Sequence, residues 1–351
     1  MGSLYLGDTF FSESYNQIII EDKIEYKLKP AISKYMIDEN GKAYKNNLDI
    51  TGAFSNIKII NDYAMNHAFY SSYDEKEENQ LIGLIDFNNL ETVGNYGMYD
   101  AFYICPNLTV DITFPKLKSV GNYGLYSAFH QCIKTGKPSF QELETIGEYG
   151  LNSFITSYNE VTELSFPKLK SVGNYGLGSF CYNCDNLTSI SFPELTIIGD
   201  SSLSSCCRDC TNLLSATFSK LTETGNDAFD YAFNNCTNLS SVTFPELTNV
   251  GEYAFDYAFY NCTNLSSITF PKLTNVENYA FRYTFRNCAN LTTISFPSLI
   301  TIKNYALRNA FNDCSNLTEI HFRTDMQTTI ESLYGYTSKF GATNATIYFD
   351  L

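Results

Sequence analysis

The stretch NCTNLSSITFPKLTNVENYAFRYTFRNCANLTTISFP, Asn261 to Pro297, states one pattern almost twice. Asn-Cys-x-Asn-Leu stands at 261–265 and again at 287–291, and Phe-Pro at 270–271 and again at 296–297. Working outward, Phe114, Phe140, Phe166, Phe192, Phe218, Phe244, Phe270, Phe296 and Phe322 follow one another at intervals of 26 residues, and Phe87 precedes Phe114 by 27. An eroded unit begins at Phe54, with an insertion before Phe87 around the acidic stretch 73–79. A period of this size marks a solenoid, in which no unit can bury its apolar face alone and each buries its neighbour's.

Within the unit, Leu265-Ser-Ser-Ile268-Thr-Phe270 places apolar residues as L-x-x-I-x-F, and its last residues alternate as a strand with one buried face should. Pro271 lacks an N–H and turns the chain. Over 279–287, Ala280, Phe281, Thr284, Phe285 and Cys288 recur at i, i+3, i+4 spacing, which predicts a short amphipathic helix with Asn278 as its N-cap. The glycines at 121, 147, 173, 199 and 251 read as turn residues ahead of each helix. The expected fold is therefore an α/β repeat solenoid, with a parallel β-strand ladder and short helices.

The totals agree with that class and narrow the function. Of 351 residues, 44% are hydrophobic, enough for a core, and no run of about eighteen apolar residues suggests a span. A net charge of −15 repels phosphate backbones and anionic lipid, which argues against nucleic acid and membrane insertion. The first residues show no secretory signal and the last no cell-wall sorting motif.

The consensus A-F-x-x-C-x-N-L-x-x-I-x-F-P-x-L-x-x-[VI]-G-x-Y-[AG]-[FL] resembles the BspA-like leucine-rich repeats over roughly residues 54–322. The unit here is longer than the usual one by about three residues, which lie in the expected helical segment, as in Tyr253-Ala-Phe-Asp-Tyr-Ala-Phe259. The resemblance implies a noncatalytic binding surface, usually an adhesin of a bacterial cell surface, with a protein or glycan partner and no cofactor. Two other readings stand beside it: a phage tail-associated receptor-binding protein, suggested by the short pieces Tyr5–Asp8 and GATNATIYFDL, and an intracellular protein-interaction scaffold.

No arrangement for catalysis emerges. The three histidines, His67, His130 and His321, accompany no nucleophile with an acidic partner, and the carboxylates Glu194, Glu246, Asp256 and Asp230 read as outward-facing. Cys105, Cys132, Cys184, Cys210, Cys236, Cys262, Cys288 and Cys314 share one repeat position, as expected of a ladder of small buried side chains. The pairs Cys181-x-x-Cys184 and Cys207-x-x-Cys210 have zinc-like spacing, yet Cys181 and Cys207 occupy the position of Phe129, Phe233, Phe259, Phe285 and Phe311, which favours packing over metal. Asn107, Asn186, Asn212, Asn238, Asn264, Asn290 and Asn316 share another position and are expected to turn inward and bond the backbone. Six of these seven lie in N-x-[ST] sequons, which burial would keep from glycan.

Variable positions then carry the binding candidates. Outward strand residues from Ser189/Ser191 to Thr293/Ser295 form a hydroxyl sheet, close to the repeat consensus but also similar to ice-binding solenoids. On the other side, residues four apart give Tyr99, Tyr103, Tyr126, His130 and Tyr182 early, and Arg208, Tyr260, Arg282, Arg286 and Arg308 late. Tyrosine and arginine are the types enriched at interface hot spots. If the strands bind instead, the hydroxyl sheet and His321 are the candidates. Residues 1–47 are expected to form an N-terminal cap or attachment segment, 48–322 the repeats, and 323–351 a C-terminal cap with a helix from about Asp325 and a strand over 345–349.

Overall fold

A computed structural model describes residues 5–6, 9–10, 46–49, 51–52, 54–70 and 80–351. Most of the segment 1–47, expected to form a cap or attachment, and all of the acidic stretch 73–79 lie outside the described residues. The chain forms two compact units, Met1–Phe154 and Ile155–Leu351. Each is a parallel β-solenoid whose coils repeat one plan.

In the second unit, Glu163–Ser165, Ser189–Ser191, Ser215–Thr217, Ser241–Thr243 and Ser267–Thr269 pair in that order, parallel and in register. The middle residues Leu164, Ile190, Ala216, Val242 and Ile268 are buried, so the L-x-x-I-x-F alternation sets the register. After the Phe-Pro bend comes a second, two-residue strand in each coil, from Ser171–Val172 to Thr301–Ile302. The first unit pairs Asn46–Asp49, Gln80–Ile85, Leu108–Thr113 and Ile133–Ser139 on one side. Its second strands run from Ile59–Ile60 to Thr145–Ile146. The phenylalanines that gave the period form columns of stacked rings: Phe87, Phe114 and Phe140 in the first unit, and Phe166 through Phe322 in the second. All are buried.

The third side of the coil overturns an expectation. Residues 279–287 are a run of turns, not a helix, and Tyr279, Tyr283 and Asn287 have positive φ (57°, 52° and 61°). The hydrogen bonds show why this is satisfactory. Asp256 N donates to Tyr253 O at 2.9 Å and Ala258 N to Phe255 O at 3.1 Å, three residues back within the coil. The alternate amides donate to the next coil: Phe255 N to Ala280 O at 2.8 Å, Tyr257 N to Arg282 O at 3.1 Å and Phe259 N to Thr284 O at 2.9 Å. Every amide in that stretch is thus paired, half within the coil and half between coils, as buried backbone requires.

Geometry excludes the helix. A solenoid paired on one side alone can curve and carry a helix about 10 Å across on the other. Here strands pair on two sides and the ribbon's amides bond the next coil on the third, which holds successive coils about 4.8 Å apart there too. Helices on every coil could not stack at that spacing; a ribbon of turns can. Its inward pairs, Ala280-Phe281 and Thr284-Phe285 followed by Cys288, recur every four residues, which a short window cannot tell from helical spacing. The glycines at the ribbon's start serve the same close stacking rather than a special φ. A Cβ on Gly251 would lie 2.5 Å from Gly225 O of the preceding coil.

The carboxy-terminal segment has a 3-10 turn at Thr324–Met326, a short helix at Gln327–Glu331 and the strand Thr346–Phe349, which pairs in parallel with Glu319–Phe322. Ile330, Phe340 and Ala345 are buried beneath it.

Candidate binding surface

The turn ribbon holds its residues in columns, because positions 26 apart sit one coil apart. In the first unit three aromatic columns adjoin. Tyr63, Tyr96, Tyr123 and Tyr149 stack with ring centroids 5.0, 4.8 and 4.8 Å apart. Beside them His67, Tyr99 and Tyr126 are spaced at 5.0 and 5.2 Å, then Tyr70, Tyr103 and His130 at 5.2 and 4.7 Å. Tyr96 and Tyr99 are 5.8 Å apart, and Tyr123 and Tyr126 5.9 Å, so the first two columns touch. Each such pair contributes about 0.5–1.5 kcal/mol beyond burial. Tyr96, Tyr99, Tyr103, Tyr123, Tyr126, His130 and Tyr149 are half-buried, whereas Tyr63, His67 and Tyr70 at the column ends are exposed.

Asp100 lies behind this surface, 9% exposed and 3.5 Å from His67, and burial raises its carboxyl to about 6. Burial likewise lowers His67 and His130 and raises Tyr99.

In the second unit, columns of Tyr231, Tyr257 and Tyr283 and of Tyr253, Tyr279 and Tyr305 alternate with arginines. The Arg208 guanidinium lies 5.4 Å from the Tyr231 ring and 5.9 Å from Tyr182. Arg282 lies 4.9 Å over Tyr253, Arg286 5.8 Å over Tyr260, and Arg308 5.6 Å over Tyr334. Arg282 also donates through Nε to both oxygens of Asp256 at 3.0 Å and pairs with it through Nη2. Asp256 is only 3% exposed and Asp230 is half-buried, which corrects their reading as outward carboxylates. Both lie beside Tyr231, whose hydroxyl is raised by burial, then by Tyr257 and by the charges of Asp230 and Asp256. Burial, then the neighbouring Asp256 and Asp227, push Asp230 up to about 7. Burial also raises Asp256, against the opposing hydrogen bond of Arg282.

All ten candidates from the sequence are therefore side by side with ribbon neighbours, and all are half-buried. Sequence reasoning missed the larger part of the surface: Tyr63, Tyr96, Tyr123 and Tyr149, and the tyrosines of the second unit between the arginines. Their signal was present in the G-x-Y of the consensus. A residue constant from coil to coil need not be core: here constancy reflects a ring stacking on its own copy.

The asparagine position is a second correction. Asn186, Asn212, Asn264, Asn290 and Asn316 are exposed, and so is Asn107, while Asn238 is half-buried. Asn238 donates to Asn212 Oδ1 at 3.2 Å, Asn264 to Asn238 Oδ1 at 3.1 Å and Asn290 to Asn264 Oδ1 at 3.4 Å, an amide ladder on the surface. The cause is local. Cys262 and Leu265 on either side point inward, so the turn between them aims Asn264 out. The sequons are accordingly not shielded by burial.

The cysteine position is interior, and the thiols close orphan contacts. Cys210, Cys236, Cys262, Cys288 and Cys314 each donate Sγ–H to the carbonyl 29 residues earlier, at 2.9–3.1 Å. Cys184 does the same to Ile155 O at 3.2 Å. Burial pushes the Cys262 and Cys288 thiols well up. The strand side presents the hydroxyl sheet in register, Ser191 donating to Ser165 Oγ at 3.1 Å. His321 stacks on Tyr348 with centroids 4.9 Å apart and contacts Asp350 at 2.9 Å.

A family model described as the BspA type leucine rich repeat region matches residues 98–231 and 230–344, in six copies. Among solved structures, a leucine-rich repeat protein from Bacteroides ovatus is 18% identical, with 87% of this chain and 84% of that one covered and a TM-score of 0.48. A leucine rich cell surface protein from Faecalibacterium prausnitzii is 18% identical over 83% of this chain and 82% of that one, at a TM-score of 0.33. The leucine rich repeat protein of T. pallidum is 18% identical over 56% and 79%, at 0.34. No curated protein matches the chain.

Proposed function

The chain belongs to the BspA-type leucine-rich repeat family, and from that membership we propose that it is a non-enzymatic binding protein of a bacterial cell surface, with a protein or glycan as its ligand. The observation that supports this reading is the patch of three aromatic columns on the first unit's turn ribbon, centred on Tyr99, Tyr103, Tyr126 and His130. Stacking already fixes these side chains, so little side-chain entropy remains to be lost on binding. Tyrosine offers a flat apolar ring with a hydroxyl at its rim, the combination that protein hot spots use. The net charge of −15 argues against polyanionic ligands. No helix among the described residues is long and apolar enough to cross a membrane.

The test has two stages. Quantitative mass spectrometry of washed cell surface, cytosol and purified phage particles should find the chain at the surface. Binding to matrix proteins and a glycan array should then fall by about 30-fold in Tyr99→Ala/Tyr126→Ala, the equivalent of about 2 kcal/mol at a hot spot. Recovery only from cytosol would sink the surface role, and recovery in particles would point to the tail-protein reading. Unchanged binding in the variant would remove the aromatic patch from the site.

A further inference from the structure

One place in the core breaks the repeat. Coils elsewhere carry a ring at one of two adjacent inward positions: Phe69, Phe102, Phe129, Phe154, Phe180, Phe233, Phe259, Phe285 and Phe311. The coil at 203–210 has Leu203, Cys206 and Cys207 and no ring at all. The coil before it puts Phe180 and Cys181 at the paired positions. As a result three buried thiols converge. Cys181 Sγ is 3.3 Å from Cys207 Sγ, Cys207 Sγ is 3.9 Å from Cys206 Sγ, and all three lie within 4.8 Å of one another. Their exposures are 0%, 0% and 1% for Cys181, Cys206 and Cys207.

We propose that Cys181, Cys206 and Cys207 form an internal site for one soft, thiolate-preferring cation of the zinc–cadmium class. The geometry carries the argument. A metal–sulfur bond of about 2.3 Å places ligand sulfurs about 3.8–4.0 Å apart in tetrahedral or trigonal coordination. Of the observed separations one falls on that value at 3.9 Å, one is shorter at 3.3 Å and the third is under 4.8 Å, so ligation needs only small side-chain rotations. The ligand set differs from the one that the C-x-x-C spacing suggests. Cys184 and Cys210 fall outside the group of three and bond the carbonyls of Ile155 and Cys181. Cys181 bonds Cys206 O at 3.1 Å as well as facing Cys207, and Cys206, outside either motif, completes the cluster. Each of the three thiols releases its proton to solvent on ligation, and the dication neutralises two of the three charges so created. A site without exposed ligands takes up its ion as the chain folds, so ion binding stabilises the fold. The three residues also supply soft sulfur alone, with no carboxylate or imidazole among them, which selects against magnesium and calcium.

The experiment uses the full chain, produced without a metal-binding tag and refolded under reducing, anaerobic conditions with cadmium. One cadmium ion per chain should survive desalting and give thiolate-to-cadmium charge-transfer absorption, and the melting temperature should rise relative to protein refolded with chelator. Cys206→Ala/Cys207→Phe writes into this coil the residues that the next coil holds at Ala232 and Phe233, and should fold, lose the ion and lose the shift. Cys206→Ala alone gives the same reading with a smaller change of packing. Cys288→Ala, which removes a ladder thiol outside the cluster, should leave the stoichiometry unchanged. Absence of retained cadmium in the folded wild type, equal retention in the cluster variants, or recovery of a Cys181–Cys207 disulfide in place of the ion would each overturn the proposal.

Discussion

Arg282 is the cation on which three carboxylates of the second unit depend, and replacing it by methionine should produce a loss of stability that grows with pH. Its guanidinium binds buried Asp256 through Nε and Nη2, and its charge also acts on Asp227 and Asp230. Burial holds Asp230 up at about 7 from an ordinary 3.8 even with the arginine present. That shift corresponds to at most about 4 kcal/mol of cost when the group is ionised. The sign follows from the proton count. A carboxyl whose folded pKa is raised binds more protons folded than unfolded, so stability falls as pH rises from the unfolded value near 3.8 through about 7. Arg282→Met keeps much of the apolar stem but leaves Asp256 ionised and unpaired, a break that costs about 3–5 kcal/mol at pH about 8. At pH about 5 Asp230 is already protonated, and because burial raises Asp256 and Asp227 as well, the need for a cation falls toward acid. The loss should then shrink to about 1 kcal/mol, the scale of the contacts over Tyr253 and Tyr257. Repeat arrays open coil by coil, so a single melting temperature would average over the molecule. Hydrogen exchange of peptides spanning 226–286, corrected for intrinsic rates at the two pH values, reads the local opening energy instead. Asp230→Asn in the wild-type background should flatten the pH dependence and stabilise the protein above pH about 7. An equal loss for Arg282→Met at both pH values, or a larger loss in acid, would falsify the electrostatic account.

Two further predictions test other parts of the scaffold. Phe259 is fully buried and stacks between Phe233 and Phe285 at 5.4 and 5.7 Å, so Phe259→Ala should cost about 3–5 kcal/mol and open the coils on either side in hydrogen exchange. Undisturbed exchange there would mean that the columns contribute little. At the carboxy-terminal segment, burial opposes the charge on His321, but hydrogen bonds to Asp350 and Glu319 outweigh it and raise the imidazole above 6.5. That contribution is complete below the unfolded value and is lost as pH rises through the raised one. Exchange in 346–351 should therefore accelerate between pH about 6 and 8 in the wild type and lose this dependence in His321→Gln; persistence in the variant would exclude the histidine.

The sequence by itself determined the period, the strand positions and the register. A 26-residue repeat with L-x-x-I-x-F followed by Pro leaves one economical way to bury each apolar face, and Ile190, Val242 and Ile268 line up accordingly. It also determined that Cys262 and Cys288 share an interior position, since a small residue in every unit must stack on its own copy. Only the tertiary structure decided what the remaining side of the coil is. Inward pairs every four residues fit a helix and a ribbon of turns equally well, and the choice rests on the inter-coil spacing of about 4.8 Å, which no local window contains. The same long-range spacing turned repeated tyrosines into surface columns, placed Asn264 outside rather than inside, and folded Asp256 beneath Arg282. It also brought Cys206 to Cys181 across 25 residues of sequence, a contact that motif spacing assigned to other thiols. Position within a coil is written locally, but what a side chain meets there depends on the coil above and below it.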